Sequence, residues 1–186
     1  MSIINDYYKY LLNLFKTKCP NLTYDHKDVE GWELVRLNDA SISDEEESAY
    51  SSASTGSFSI YTKDGETKYL IKVDEHPDVN DEGTHAIKTL VLLHEFGHLN
   101  DALVCKNINQ QLSTINTVDA EVEAHWFVLD FLRKDDRLEK VYRRLLVGLY
   151  LTNLKDHVMK GHDIQAESSR RVQENGKFSQ VRMFAK

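Results

Sequence analysis

The chain has 186 residues, of which 41% are hydrophobic, and its formal net charge is −7. This length and apolar content suffice for one compact domain with its own core. The acidic balance argues against nucleic acid and anionic membranes as partners, since both select clustered Lys and Arg. Cys19 and Cys105 form no Cys-x-x-Cys motif and the N-terminus shows no signal-peptide pattern. These features predict a cytoplasmic protein.

The first part of the chain is predicted to hold a helix, a polar loop and a hairpin. Apolar residues at helical spacing predict an N-terminal helix within residues 1–20. The Ser-rich stretch 38–56, with its acidic run Asp44 to Glu47, predicts a solvated loop. Alternating apolar residues on both sides of an Asp-Gly pair predict a β-hairpin over residues 58–73.

From Thr84 onward the apolar spacing becomes helical. The segment THAIKTLVLLHEFGHLNDALVC contains no proline, which predicts a long buried helix with Thr84 as its cap. Two further helices are predicted, one from Val118 to Leu132 and one from about Leu138 to Met159. Residues 160–186 are polar and predict a loosely ordered tail.

The sequence His-Glu-Phe-Gly-His at positions 94–98 carries the chemistry. Two histidines four residues apart project from one helix face, so His94 and His98 can both approach one metal ion at roughly 2.0 to 2.1 Å. Glu95 is the predicted general base for a metal-activated water. Gly97 is predicted to let another element lie close to the helix. The plain alternative is a surface helix with two ordinary histidines, but the apolar run 90–93 predicts burial instead.

A catalytic zinc ion usually has three protein ligands and a water, so a third ligand is needed. Asp101 is a poor candidate because a third ligand so close on one straight helix would strain the tetrahedron. Glu121 and Glu123 lie on nearly opposite faces of the next helix, so only one of them can reach the metal. The apolar pattern of that helix leaves both open.

The hairpin, the apolar run before HEFGH and the downstream EVEAHWFVLDFL resemble the ImmA/IrrE family of zinc metallopeptidases, over about residues 58–132. The resemblance implies that Glu121 is the third ligand, four residues before a supporting position that His125 occupies. Glu123 and Asp101 are the alternatives. The family pattern has Asn where this chain has His125, and Met-Pro where this chain has RKDD at 133–136. No helix-turn-helix reader is evident.

These features together predict one α+β, zincin-like domain over residues 1–186, with a small twisted sheet packed on the active-site helix. The expected function is a zinc-dependent endopeptidase with one Zn²⁺ ion and a protein or peptide substrate. By resemblance, that substrate is a transcriptional repressor or regulator. The alternative is a zinc-containing interaction protein that binds and inhibits a regulator or enzyme, with the acidic loop and the polar tail as contact surfaces.

Further histidine and tyrosine residues have predicted roles. His157 and His162 are interpreted as surface residues, with stabilisation of an oxyanion as their alternative role. Tyr142 and Tyr150 are oxyanion candidates if their helix crosses the cleft. His85 is interpreted as structural.

Overall fold

The computed structural model describes residues 3–17, 32–36, 56–63, 66–73, 82–104, 117–160 and 163–186. The elements follow one another as α1 (Ile3–Thr17), β1 (Trp32–Arg36), β2 (Gly56–Lys63), β3 (Glu66–Val73), α2 (Glu82–Val104), α3 (Val118–Lys134), α4 (Lys140–Lys160), α5 (Ile164–Glu174) and α6 (Phe178–Ala185). Several predictions fall outside the described residues: the acidic run 44–47, both cysteines, the hairpin turn and His162.

The described strands form one sheet in the order β1-β3-β2. β2 and β3 are antiparallel, with pairs running from Gly56↔Val73 to Lys63↔Glu66, and this confirms the predicted hairpin. β1 pairs with β3 in parallel, which the sequence did not predict. Among the described strands, β2 is therefore an edge strand.

The predicted fold class, an α+β zincin-like domain, is wrong, because the described chain is mostly helical. Its strands hold 5, 8 and 8 residues. Its helices hold between 8 and 23 residues each. Every metal-ligand candidate stands on a helix, and the sheet only flanks them. The alternation of apolar and polar residues is a local pattern, so it predicted the hairpin correctly. It does not indicate what share of the fold the sheet forms.

The predicted loosely ordered tail is also wrong, because residues 164–185 form α5 and α6. The Asp163 side chain caps α5 by accepting a 2.8 Å hydrogen bond from the N–H of Ala166. Helix α5 packs on α3 and α4, and its buried residues are small or short: Ala166, Ser168, Ser169 and Val172. Because these buried residues are small and two of them are polar, the segment shows no apolar helical pattern, and its polar composition predicted a loosely ordered tail.

The predicted helices before this region are confirmed, with small differences at their ends. Helix α2 begins at Glu82, two residues before the predicted cap, and α3 begins after Thr117, whose hydroxyl accepts the N–H of Ala120 at 3.1 Å. Helix α2 lies in the core, with α1, α3, β2 and β3 against it. Its completely buried hydrophobic side chains are Leu92, Leu93, Phe96 and Leu99. No helix within the described ranges has the length and apolarity to cross a membrane.

Candidate metal and catalytic site

Helices α2 and α3 come into backbone contact at Gly97. A Cβ atom on residue 97 would stand 3.0 Å from both the Cβ and the carbonyl oxygen of Ala124. Glycine therefore permits this approach, as the sequence predicted. Since Glu121 lies one turn before Ala124, the close approach brings its carboxylate to the face of α2 that carries the two histidines.

His94, His98 and Glu121 form a group that can hold a metal ion, with their ligand atoms all within 4.8 Å of one another. Nε2 of His94 lies 3.1 Å from Oε2 of Glu121, and Nε2 of His98 lies 3.4 Å from Oε1. The two imidazole planes are nearly perpendicular, at 88°. Three ligand atoms from two helices thus converge on one point.

The donor set of this group suits a zinc ion. The two Nε2 atoms lie against different oxygens of the Glu121 carboxylate, at 3.1 and 3.4 Å, so the one carboxylate faces both imidazoles. Two imidazoles and one carboxylate are also a donor set that leaves a fourth position open in catalytic zinc sites.

The two alternative ligands do not join this group. Glu123 is exposed on α3, and the charges that act on its carboxylate are those of Asp101, Lys177 and Asp119. Asp101 lines the same cleft as the histidines but stands outside the cluster of ligand atoms. Between the two glutamates that the sequence left open, the helix packing brings Glu121 to the histidines.

Burial and mutual interaction shift the pKa values of this group. Burial by itself would raise the pKa of Glu121, but the hydrogen bonds and charges of His94 and His98 outweigh it and hold that pKa far below its usual range. Burial by itself would lower the pKa of His98, yet its bond to Glu121 and the nearby carboxylates raise it. Glu121 is therefore ionised and attracts positive charge into the site.

Glu95 is buried beside the cluster, at 7% exposure. Burial raises the pKa of its carboxyl group, the two neighbouring histidines oppose the shift, and the charge of Glu121 adds to it. A carboxyl group with a raised pKa can both accept and return a proton near neutral pH, as a general base that later acts as an acid must do. Glu95 lines the cleft together with the three ligand candidates.

Tyr150 connects His94 to His125. Its hydroxyl oxygen lies 2.9 Å from Nδ1 of His94 and 2.8 Å from Nδ1 of His125. Nε2 of His125 lies 3.2 Å from Oγ of Ser168 on α5. Burial lowers the pKa of His125 well below its usual range and raises the pKa of Tyr150 well above its own, so both side chains are uncharged. His125 thus supports the metal-ligand candidate His94 through Tyr150, and its ring also lies beside that of His94, with centroids 4.9 Å apart.

The cluster opens onto a cleft of about 870 Å³. Its walls include Gly56, Ser57 and Phe58 of the edge strand β2. The ring of Phe58 stacks on His98, with centroids 6.3 Å apart. Another part of the lining comes from α4 and includes Leu149 and His157. This volume is within the range of pockets that bind organic ligands.

No family model, curated protein or solved structure matches this chain.

The sequence did not predict the position of several residues at the site. Ser168 lay in the segment interpreted as a tail, and His157, interpreted as a surface residue, is partly buried and lines the cleft. Tyr150 is an oxyanion candidate in the sequence, but in the structure its hydroxyl contacts the imidazoles of His94 and His125. Tyr142 packs against the core. The apolar neighbours of Tyr150 in the sequence indicate that its hydroxyl group is buried. The sequence does not indicate the direction of α4, and therefore not which residues this hydroxyl group contacts.

Proposed function

We propose that this protein is a zinc-dependent endopeptidase. The observation that carries the proposal is the convergence of His94, His98 and Glu121 beside the buried Glu95, on a cleft of about 870 Å³. This combination of three ligands and one adjacent buried carboxyl group suits the hydrolysis of a peptide bond. The likeness of HEFGH and EVEAHWF to ImmA/IrrE metallopeptidases supports the same activity.

In this proposal His94, His98 and Glu121 hold the ion, and Glu95 moves the proton. Zn²⁺, when bound, polarises the scissile carbonyl group and lowers the pKa of a water molecule to about 7. The Glu95 carboxylate takes one proton from the attacking water at an Oε atom. It then gives this proton to the nitrogen of the leaving amine, so the side chain ends in its starting state.

An extended peptide is the substrate that suits the cleft. The beginning of β2, an edge strand among the described strands, lines the cleft, so we infer that the backbone of a peptide pairs with it there.

Hydrolysis by a Glu95→Gln variant tests the proposal. The amide cannot take a proton from water, so peptide cleavage should fall by about 10²- to 10⁴-fold while one zinc per chain is retained. The probe is a peptide library from a digested proteome, with new N-termini identified by mass spectrometry. Glu123→Gln, an exposed change on α3, is the matched control and should cleave like the wild type.

Two results would contradict the proposal. One is a zinc-loaded wild type that produces no new N-termini. The other is a Glu95→Gln variant that cleaves as fast as the wild type. A protein that binds zinc but cleaves nothing would favour the alternative, an interaction protein that acts by binding a regulator or enzyme.

A further inference from the structure

Three buried side chains connect the metal-ligand candidate His94 to helix α5. Tyr150 contacts His94 at 2.9 Å and His125 at 2.8 Å, and His125 contacts Ser168 at 3.2 Å. Ser168 in turn donates to the carbonyl oxygen of Gln165 at 3.1 Å. Tyr150, His125 and Ser168 are exposed by 3%, 2% and 0%. We call these three residues the positioning chain.

We propose that the positioning chain fixes the proton of His94 on Nδ1 and so presents Nε2 as the metal-binding atom. The proposal rests on the metal site of the proposed function. It goes further by assigning roles to Tyr150, His125 and Ser168, none of which belongs to the group of three metal-ligand candidates.

The number of protons determines the direction of every bond in the chain. A neutral imidazole carries one N–H, so a His94 that binds a cation through Nε2 must donate from Nδ1. The Tyr150 oxygen accepts that bond and directs its own single proton to Nδ1 of His125. His125 then carries its proton on Nε2 and donates to Ser168, whose hydroxyl donates to Gln165. Each donor in this sequence has one acceptor.

Because these side chains are buried, water cannot replace a hydrogen-bond partner that one of them loses. A phenol hydroxyl or imidazole nitrogen in contact with water can exchange one partner for another, but these groups are almost inaccessible. A buried polar atom that loses its partner destabilises the arrangement around it. Removal of Ser168 Oγ therefore affects Nε2 of His125, and through Tyr150 it affects the orientation of the His94 ring. Partners of this kind typically contribute 10- to 100-fold to metal affinity.

The protein provides a matched control residue for each substitution. Ser168 and Ser169 are neighbours on α5 and both are completely buried. Ser169 has no hydrogen-bond partner among the described residues, whereas Ser168 lies beside His125. Tyr142 is eight residues before Tyr150 on α4 and packs at the edge of the core. Ser169→Ala and Tyr142→Phe thus repeat the chemical change outside the positioning chain.

The first measurement is zinc affinity, by competition with a chromophoric chelator after the metal has been removed. Tyr150→Phe and Ser168→Ala should each weaken zinc binding by about 10-fold or more. Ser169→Ala and Tyr142→Phe should bind like the wild type. Equal affinities for all four variants and the wild type would overturn the proposal.

The second measurement is the tautomer of each ring, from two-bond ¹H–¹⁵N correlation spectra of the zinc-loaded wild type. His94 should carry its proton on Nδ1 and His125 on Nε2. Loss of packing alone would not produce this pattern, and the measurement needs no variant to fold. A proton on Nδ1 of His125 in the zinc-loaded protein would overturn the proposal. A wild type that binds no zinc would instead refute the proposed function itself, so the two failures are distinguishable.

Discussion

The hydroxyl of Tyr7 donates a 2.7 Å hydrogen bond to the carboxylate of Asp135, although 128 residues separate them. Asp135 ends α3, where its N–H bonds to the carbonyl oxygen of Phe131 at 2.9 Å. This bond attaches α1 to the end of the helix that carries Glu121. It predicts a stability effect far from the candidate site.

Tyr7→Phe should lower the free energy of unfolding by about 1.5 to 3 kcal/mol at pH 7, the contribution of a hydrogen bond to a charged group. Chemical denaturation measures the change. Tyr10→Phe is the control, because Tyr10 stacks on Tyr7 at 6.1 Å and phenylalanine retains that ring. It should change the stability by less than about 0.5 kcal/mol. Equal effects of the two changes would contradict the prediction.

The same bond predicts a dependence on alkaline pH. Burial and the charge of Asp135 raise the pKa of Tyr7 above its usual value. Unfolded tyrosine titrates near pH 10, so the unfolded chain releases a proton there that the folded chain keeps. The stabilisation is complete below about pH 10 and decreases above it, by about 1.4 kcal/mol per pH unit. The difference between wild type and Tyr7→Phe should therefore shrink in denaturation curves between pH 10 and 11. A constant difference would exclude this mechanism.

Gly97→Ala should both destabilise the protein and weaken zinc binding. The new Cβ would stand 2.6 Å from the Cα of Ala124, so α3 must move away from α2 and take Glu121 with it. Overpacking of this kind costs about 1 to 3 kcal/mol. Thermal melts and chelator competition measure the two effects.

Gly148→Ala is the matched control, since a Cβ there meets nothing within 4 Å. Gly148 lies inside α4, where alanine should stabilise the helix by about 0.5 to 1 kcal/mol. If both glycine variants lost stability and zinc affinity alike, the proposed close approach of α2 and α3 would not explain the role of Gly97.

Glu121→Gln should lower zinc affinity by more than the 10- to 100-fold expected for a supporting residue, because in the proposed site it removes a ligand carboxylate. Glu123→Gln removes the same charge two residues later, from the exposed side of α3, and should leave affinity unchanged. Titration of both metal-free variants with Zn²⁺ gives the comparison. A larger loss for Glu123→Gln would move the third ligand to that residue.

Zn²⁺ should raise the melting temperature of the metal-free protein. A ligand that binds only the folded state adds about 2.7 kcal/mol at 100 times its Kd. For a chain of this size that corresponds to roughly 5 to 11 °C. Mg²⁺ is the control cation, because it prefers oxygen ligands in an octahedral arrangement and should shift the melt little. Equal shifts with both ions would argue against a site of two imidazoles and one carboxylate.

The sequence by itself determined the features that depend on neighbours along the chain. Helical periodicity put His94 and His98 on one face, the apolar run before them predicted a buried helix, and the alternation around an Asp-Gly pair predicted the hairpin. Gly97 also predicted that another element lies close to its helix, because a residue without a side chain leaves room for a neighbouring backbone. Residue spacing left Glu121 and Glu123 open, and resemblance selected Glu121.

The tertiary structure decided which distant side chains meet. Contact between α2 and α3 brought Glu121, and not Glu123, to the histidines, and the course of α4 put Tyr150 between His94 and His125. Ser168 contacts His125 from α5, which lies in a segment whose polar composition did not predict helices. These contacts depend on the relative positions of packed helices. Such positions result from the sum of many weak contacts over the whole core, and no single stretch of the sequence contains them.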